Sequence, residues 1–228
     1  MKLKFPLLIF FSVLFANTLK AQNISPYRFS LGAKILSYNE QMAVPNSDFN
    51  NNDYQLNSVT GIIFKVRNNM YSFRGGVDYL KQKDNNSAPD CPTCPGYTGA
   101  NEQLKVGVGF EREFFYYNVR PVIGLDVFYF RSEYNGKIVP PSGVLSSVEN
   151  IRNGAGFTPF IGVKIYPMDR ITISATANFN GIWFHEKIQN TLGATMIKTS
   201  VPATTRYETY FNPLGGLTLL YNFGSLED

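Results

Sequence analysis

The sequence predicts an all-β chain folded as an eight-stranded antiparallel up-and-down transmembrane β-barrel. Three observations predict it: an export leader, eight segments in which apolar residues alternate with small or polar ones, and connections that alternate short and long. Met1 to Lys4 is a short basic region, Phe5 to Ala16 an apolar run, and a polar stretch ends at Ala21. This is the layout of a secretory signal peptide. The apolar run falls short of the ~20 residues a membrane helix needs. The domains expected are therefore a signal peptide over 1–21 and an outer-membrane β-barrel domain over 22–228.

The leader carries Lys2, Lys4 and Lys20, so 21 bases become 18 against 17 acids once it is removed. A nucleic-acid partner is not expected, because no basic excess survives on one run or face. No apolar stretch after the leader approaches the length of a membrane helix, so membrane residence would come through strands.

The first strand is predicted over Tyr27 to Ser37, with Phe29, Leu31, Ala33 and Ile35 alternating with Arg28, Ser30, Gly32 and Lys34. The second, Asn57 to Arg67, puts Thr60, Ile62, Phe64 and Val66 on one face, and an Asn68-Asn69 turn leads into Tyr71, Phe73, Gly75, Val77 and Tyr79 of the third. The fourth sets Leu104, Val106, Val108 and Phe110 against Lys105, Gly107, Gly109 and Glu111. The fifth, from Val119, sets Pro121, Ile123, Leu125, Val127 and Tyr129 against Arg120, Gly124 and Asp126; a proline near a strand start is tolerated.

Phe157, Pro159, Ile161, Val163 and Ile165 alternate with Thr158, Gly162 and Lys164 in the sixth strand. A turn at Pro167-Met168-Asp169 leads into Ile171, Ile173, Ala175, Ala177 and Phe179 of the seventh. The eighth carries Phe211, Gly215, Leu217, Leu219, Tyr221 and Phe223 opposite Asn212, Gly216, Thr218 and Asn222. Connections after strands two, four and six are brief, whereas those after one, three, five and seven are expected to run to roughly 15–25 residues and to face outside the cell.

Alternation alone does not say which face is inside. The polar faces hold many glycines, which suits a crowded eight-strand lumen, and the apolar faces end in aromatics such as Tyr27, Tyr79, Tyr129 and Tyr221, which suits membrane interfaces. A soluble lipocalin-like barrel, with the apolar set inside, is the alternative. In the membrane phase Ile63, Val122, Phe128, Phe130, Phe160 and Leu220 would face inward, as would Arg28, Lys34, Lys65, Arg67, Arg74, Lys105, Arg120 and Lys164 with Asp78, Glu111 and Asp126. Buried charges need partners, so Arg74, Asp78, Lys105, Glu111, Arg120 and Asp126 are expected to pair across strands. An anion site in the lumen is the functional reading of the same charges.

The pattern resembles the eight-stranded transmembrane domain of OmpA and the protein OmpX, in the variety carried by Bacteroidota. The carriers are the leader ending Leu19-Lys20-Ala21-Gln22, the strand and loop rhythm, and the closing strand from Gly215 to Phe223. The resemblance implies residence in the cell outer membrane among lipids and lipopolysaccharide, insertion by the outer-membrane assembly machinery, and loops available to an envelope or surface protein partner.

Little in the chain points to catalysis, and neither enzyme activity nor a cofactor is expected. Cys91-Pro92-Thr93-Cys94 has redox-motif spacing but lies between strands, so a local disulfide between Cys91 and Cys94 is the favoured reading. Asp48, Asn50 and Asn52 mimic the opening of a calcium loop, yet Asp53 stands in place of the turn glycine and Val59 in place of the bidentate acid. His185, beside Glu186, is the single imidazole; a lipid A modifying enzyme would use it as a base with a serine such as Ser200, but no matching motif surrounds it.

Overall fold

The computed structural model describes residues 27–40, 54–86, 96–114, 118–139, 146–192 and 197–225. The leader, the Cys91 and Cys94 pair and the Asp48 to Asp53 stretch lie outside them. All the regular elements described are strands: β1 (Tyr27–Glu40), β2 (Tyr54–Asn68), β3 (Tyr71–Asn86), β4 (Gly96–Glu113), β5 (Val119–Val139), β6 (Ser146–Met168), β7 (Ile171–Leu192), β8 (Ile197–Ser200) and β9 (Thr204–Ser225). Each of β1 to β7 pairs antiparallel with the next, β7 pairs with β9, and β9 returns to β1. The result is a closed ring of eight strands, and β8 is a short addition at the outer end of β7, opposite Gln189 to Leu192.

Tyr27 pairs with Ser225 at the end of the ring that holds the tight turns, the inner end. Asn68 faces Tyr71 across a turn at Asn69-Met70, one residue later than the pattern suggests, with Asn69 at φ 56°, a conformation that asparagine tolerates. Met168 faces Ile171 across Asp169-Arg170, and the ladder slips at Tyr166-Pro167, where the missing proline N–H does no harm. Closure between β7, β9 and β1 is supported inside by a hydrogen-bond chain: Ser30 Oγ donates to Asn222 Oδ1 at 2.8 Å, and Asn222 Nδ2 donates to Thr172 Oγ1 at 2.8 Å.

Strands run well past their apolar stretches, so the far connections are shorter than the 15–25 residues expected: β5 ends at Val139 and β6 begins at Ser146. Pairing continues there because a ladder needs only backbone groups. The outward side chains simply change character, as in Arg131, Glu133, Asn135 and Lys137 of β5.

Phase follows the sequence alternation at most positions. Ile63, Val122, Phe128, Phe130, Phe160 and Leu220 are all buried in the ring interior, while Leu31, Phe64, Val108, Leu125, Ile161 and Leu219 stand exposed on its outside. Some positions depart from it. Gly215, expected on the outer face with Leu217, is buried and lines the interior. Thr60 is buried and hydrogen-bonds Ser37 at 3.2 Å rather than sharing the outer face with Ile62, because the β1–β2 register slips between Lys34 and Leu36 and Val59 adopts φ 50° there. Arg28 is exposed at the inner rim rather than inside, its guanidinium carbon 5.7 Å from the centre of the Phe29 ring.

Inward glycines make room for the large side chains opposite them. A Cβ on Gly124 would lie 2.5 Å from the Phe110 carbonyl oxygen and 2.6 Å from Phe160 Cε1, and one on Gly156 would lie 2.6 Å from Phe128 Cζ. This alternation of nothing and bulk lets large side chains pack across a narrow lumen.

Candidate functional site: the ring interior and its outer rim

Two carboxylates on β4 organise the inner half of the interior. Glu111 and Glu113 are both 1% exposed, and they share Lys164, which is fully buried and donates to Glu113 Oε1 at 2.6 Å as well as to Glu111. Lys65 Nζ donates to Glu111 at 3.0 Å, Arg67 Nη2 to Glu113 Oε1 at 2.7 Å, and Arg120 Nη1 to Glu113 Oε2 at 3.1 Å. The Tyr166 hydroxyl donates to Glu113 Oε2 at 2.9 Å and accepts from Arg67, while the Arg120 guanidinium lies 4.2 Å above the Tyr166 ring. Buried ions are tolerable only with such a density of partners, which leaves Arg67 Nη1 without one.

At mid-height Arg74 binds Asp126 with two parallel hydrogen bonds, one of them Nε to Oδ1 at 2.6 Å, and sits 3.5 Å from Glu111. Its guanidinium stacks 3.8 Å from the centre of the Phe160 ring. Lys34 Nζ donates to Asp78 at 2.7 Å. Five of the six residues expected to pair across strands, Arg74, Asp78, Glu111, Arg120 and Asp126, therefore stand in ion pairs.

Lys105 does not: among the described residues it has no carboxylate partner. Its Nζ lies 3.4 Å from Thr158 Oγ1 and 3.7 Å from the centre of the Phe128 ring. The two aspartates nearest in register are already held by Lys34 and Arg74, which explains the difference. Sequence reasoning missed Glu113 and Tyr166. Both lie one alternation step beyond the point where the outward apolar pattern stops, and continuing the period of two would have found them.

Two small polar cavities, each of about 70 Å³, occupy the interior beside these groups and share Lys34, Asp78, Lys105, Asn178 and Gly215 as lining. Adjoining the first of them, Phe128, Phe130, Ile182 and Phe184 form the apolar core, with edge-to-face contacts at 6.5 Å for Phe128–Phe130 and 6.1 Å for Phe130–Phe184.

Glu186 caps that core toward the outer end. It accepts from Asn150 Nδ2 at 2.9 Å and from Arg152 Nε at 2.7 Å, and Arg206 lies 3.4 Å away. Burial works to raise its carboxyl. The Asn150 hydrogen bond and the charges of Arg152 and Arg206 outweigh that and hold it below the usual carboxylate range. His185, its neighbour in sequence, points the other way: it is exposed, with Nδ1 3.5 Å from Thr205 Oγ1. Ser200 pairs with Gln189, several residues along the strand from His185. Among the described residues no three His, Cys, Asp or Glu side chains are grouped to hold a metal ion.

The outside of the ring is the inverse of the inside. Bare aliphatic and aromatic side chains cover the middle of all eight long strands, and ring-bearing residues border them at both ends. Toward the inner end stand Tyr27, Tyr71 and Tyr221; toward the outer end stand Tyr79, Tyr129, Trp183 and Tyr207, the last two with ring centres 4.9 Å apart. Toward the two ends the outward positions are charged: Arg112 and Arg170 on one side, and Lys81, Glu102, Arg131 and Lys187 on the other. Arg170 donates to the hydroxyls of Tyr27 and Tyr221, each at 3.3 Å. No helix among the described residues is long and apolar enough to cross a membrane. In comparisons with known proteins, no protein-family model matches the chain, and neither does any curated protein.

Proposed function

We propose that the chain is an integral outer-membrane β-barrel protein, non-enzymatic and without an open pore. Its polar outer end would meet lipopolysaccharide and envelope or surface partners. The observation that carries this reading is the reversal of polarity across the wall. Monomers in water rarely expose contiguous apolar patches beyond a few hundred Å². Here exposed apolar side chains, among them Phe73, Val108, Leu125, Ile161 and Phe211, encircle the molecule, while lysines and glutamates lie buried inside. The outward apolar stretch of β5 from Val119 to Tyr129 has the ~9–11 residue length a tilted strand uses to cross hydrocarbon. Aromatic rows flanked by charges fit the two interfaces.

The filled interior supports the absence of conduction, since ion pairs and the phenylalanine cluster occupy the lumen. It also argues against a soluble carrier, because cavities of about 70 Å³ are far below the ~300–1,000 Å³ of small-molecule sites. The leader and the closing strand from Gly215 to Phe223 support export and assembly into the outer membrane, and the resemblance to OmpA and OmpX agrees with both.

Gel mobility of the protein from purified outer membranes, boiled against unboiled in detergent, tests the reading. A faster unboiled band is expected, together with lipid A mass spectra that do not change when His185 is replaced by Ala. Recovery in the soluble periplasmic fraction with no mobility shift would overturn it.

A further inference from the structure

Every inward cation described above except Lys105 has a carboxylate within ion-pair distance. Among the described residues the inner half and mid-height of the interior hold seven basic side chains, Lys34, Lys65, Arg67, Arg74, Lys105, Arg120 and Lys164, against four carboxylates, Asp78, Glu111, Glu113 and Asp126, while Arg152 and Glu186 nearer the outer end pair with each other. A charge buried without an opposite charge is costly unless something else supplies one. Lys105 also faces a void: with Lys34 and its partner Asp78 it lines the cavity of about 70 Å³ that Asn178, Asn180 and Asn212 close from the other side, so the two lysines there outnumber the one carboxylate. One water needs only ~10–15 Å³ of such space, so the cavity admits a group of several heavy atoms.

One amide of the lining is placed to offer a donor, and a second can be turned to do so. Asn180 Nδ2 donates to Asn178 Oδ1 at 3.1 Å, which leaves the Asn178 NH₂ as a donor. Asn212 is 3% exposed and its Oδ1 has no hydrogen-bond partner; turning the amide over would present its NH₂ at the same point. We propose that this cavity binds an oxyanion of the phosphate class, with Lys105 supplying the charge, Lys34 shared between the anion and Asp78, and the asparagine amides supplying hydrogen bonds.

The wall is interrupted at this height. The β1–β9 ladder ends at Leu36 opposite Leu217, and the β2–β3 ladder ends at Gly61 opposite Asp78. Beyond that point β2 and β3 meet through side chains, with Gln82 Nε2 donating to Asn57 Oδ1 at 3.3 Å. The phosphate could therefore arrive free from the outer end or on a lipid headgroup through the wall. The site itself does not depend on where the molecule resides.

The test is the unfolding midpoint of the purified, folded protein in maltoside micelles, titrated with inorganic phosphate or with chloride at matched ionic strength. Phosphate is expected to raise the midpoint saturably and chloride is not. Lys105→Met, which removes a charge that has no carboxylate partner among the described residues, and Asn212→Asp, which keeps the volume and adds a negative charge, should each weaken the phosphate response at least tenfold. Lys137→Met at the exposed outer end should leave it intact. Equal responses to phosphate and chloride, or a full response in Lys105→Met, would overturn the proposal.

Vesicles of phosphatidylcholine with and without phosphatidic acid separate the two sources. Phosphorus carried through extraction only from the phosphatidic acid vesicles, with no further response to added phosphate, assigns a lipid headgroup. A response that is independent of vesicle composition assigns free phosphate.

Discussion

Glu113 is the most heavily engaged single side chain of the interior, since Arg67, Arg120, Lys164 and the Tyr166 hydroxyl all converge on its two oxygens. Replacing it by Ala would leave three cations in a space with little water to take the place of the carboxylate. Breaking a buried pair costs about 3–5 kcal/mol, and Glu113→Ala is expected in that range by urea unfolding in micelles. A loss near the ~0–1 kcal/mol of an exposed pair would show instead that water reaches the group. The sequence pattern stops short of Glu113 because Arg112 breaks the outward apolar series after Phe110. The ladder nonetheless continues to Glu113 opposite Val122. Glu111 was readable from alternation alone. Which cation each carboxylate takes was not, because that depends on strand stagger and on ends that hydrophobicity does not mark.

At the scale of elements, the ring is held in shape by pairs in which one strand supplies a glycine and its neighbour a bulky side chain. Gly124→Val tests this. Its side chain would press on Phe160 and on the Phe110 carbonyl at once, and no rotamer of Phe160 relieves the contact with backbone. Overpacking of this kind costs about 1–3 kcal/mol. Gly75→Ala is the matched control: a Cβ there would find its nearest neighbour, the Gly107 carbonyl oxygen, at 3.9 Å, so the change should be near neutral. Equal unfolding midpoints for the two variants would contradict the packing account. Most strand phases could be read from the sequence because each long strand has an apolar face. The continuation of β5 and β6 to Val139 and Ser146 was hidden, since charged residues on the outer face look like loop composition. The slip at Val59 was hidden as well, because a β-branched residue gives no advance signal of positive φ.

For the molecule as a whole, the decisive property is what solvates the apolar belt, and one substitution separates the possibilities by its sign. Leu125 lies midway along the outward apolar stretch of β5, in register with Phe110 and Pro159, and is 48% exposed. In a bilayer, Leu125→Arg puts a guanidinium into hydrocarbon, which costs about 2–4 kcal/mol near the midplane of a transmembrane barrel. In water the same change removes exposed apolar surface and adds charge, so stability is unchanged within ~0.5 kcal/mol and solubility rises. Glu133→Arg, farther along the same strand and beyond Tyr129, should shift stability by no more than ~1 kcal/mol in either medium, because that position is already charged and lies at the polar end. Unfolding of both variants in lipid vesicles therefore gives a depth profile along one strand. A large loss at Leu125 with little change at Glu133 locates the belt in the bilayer, and matching small effects at both would place the whole outer surface in water.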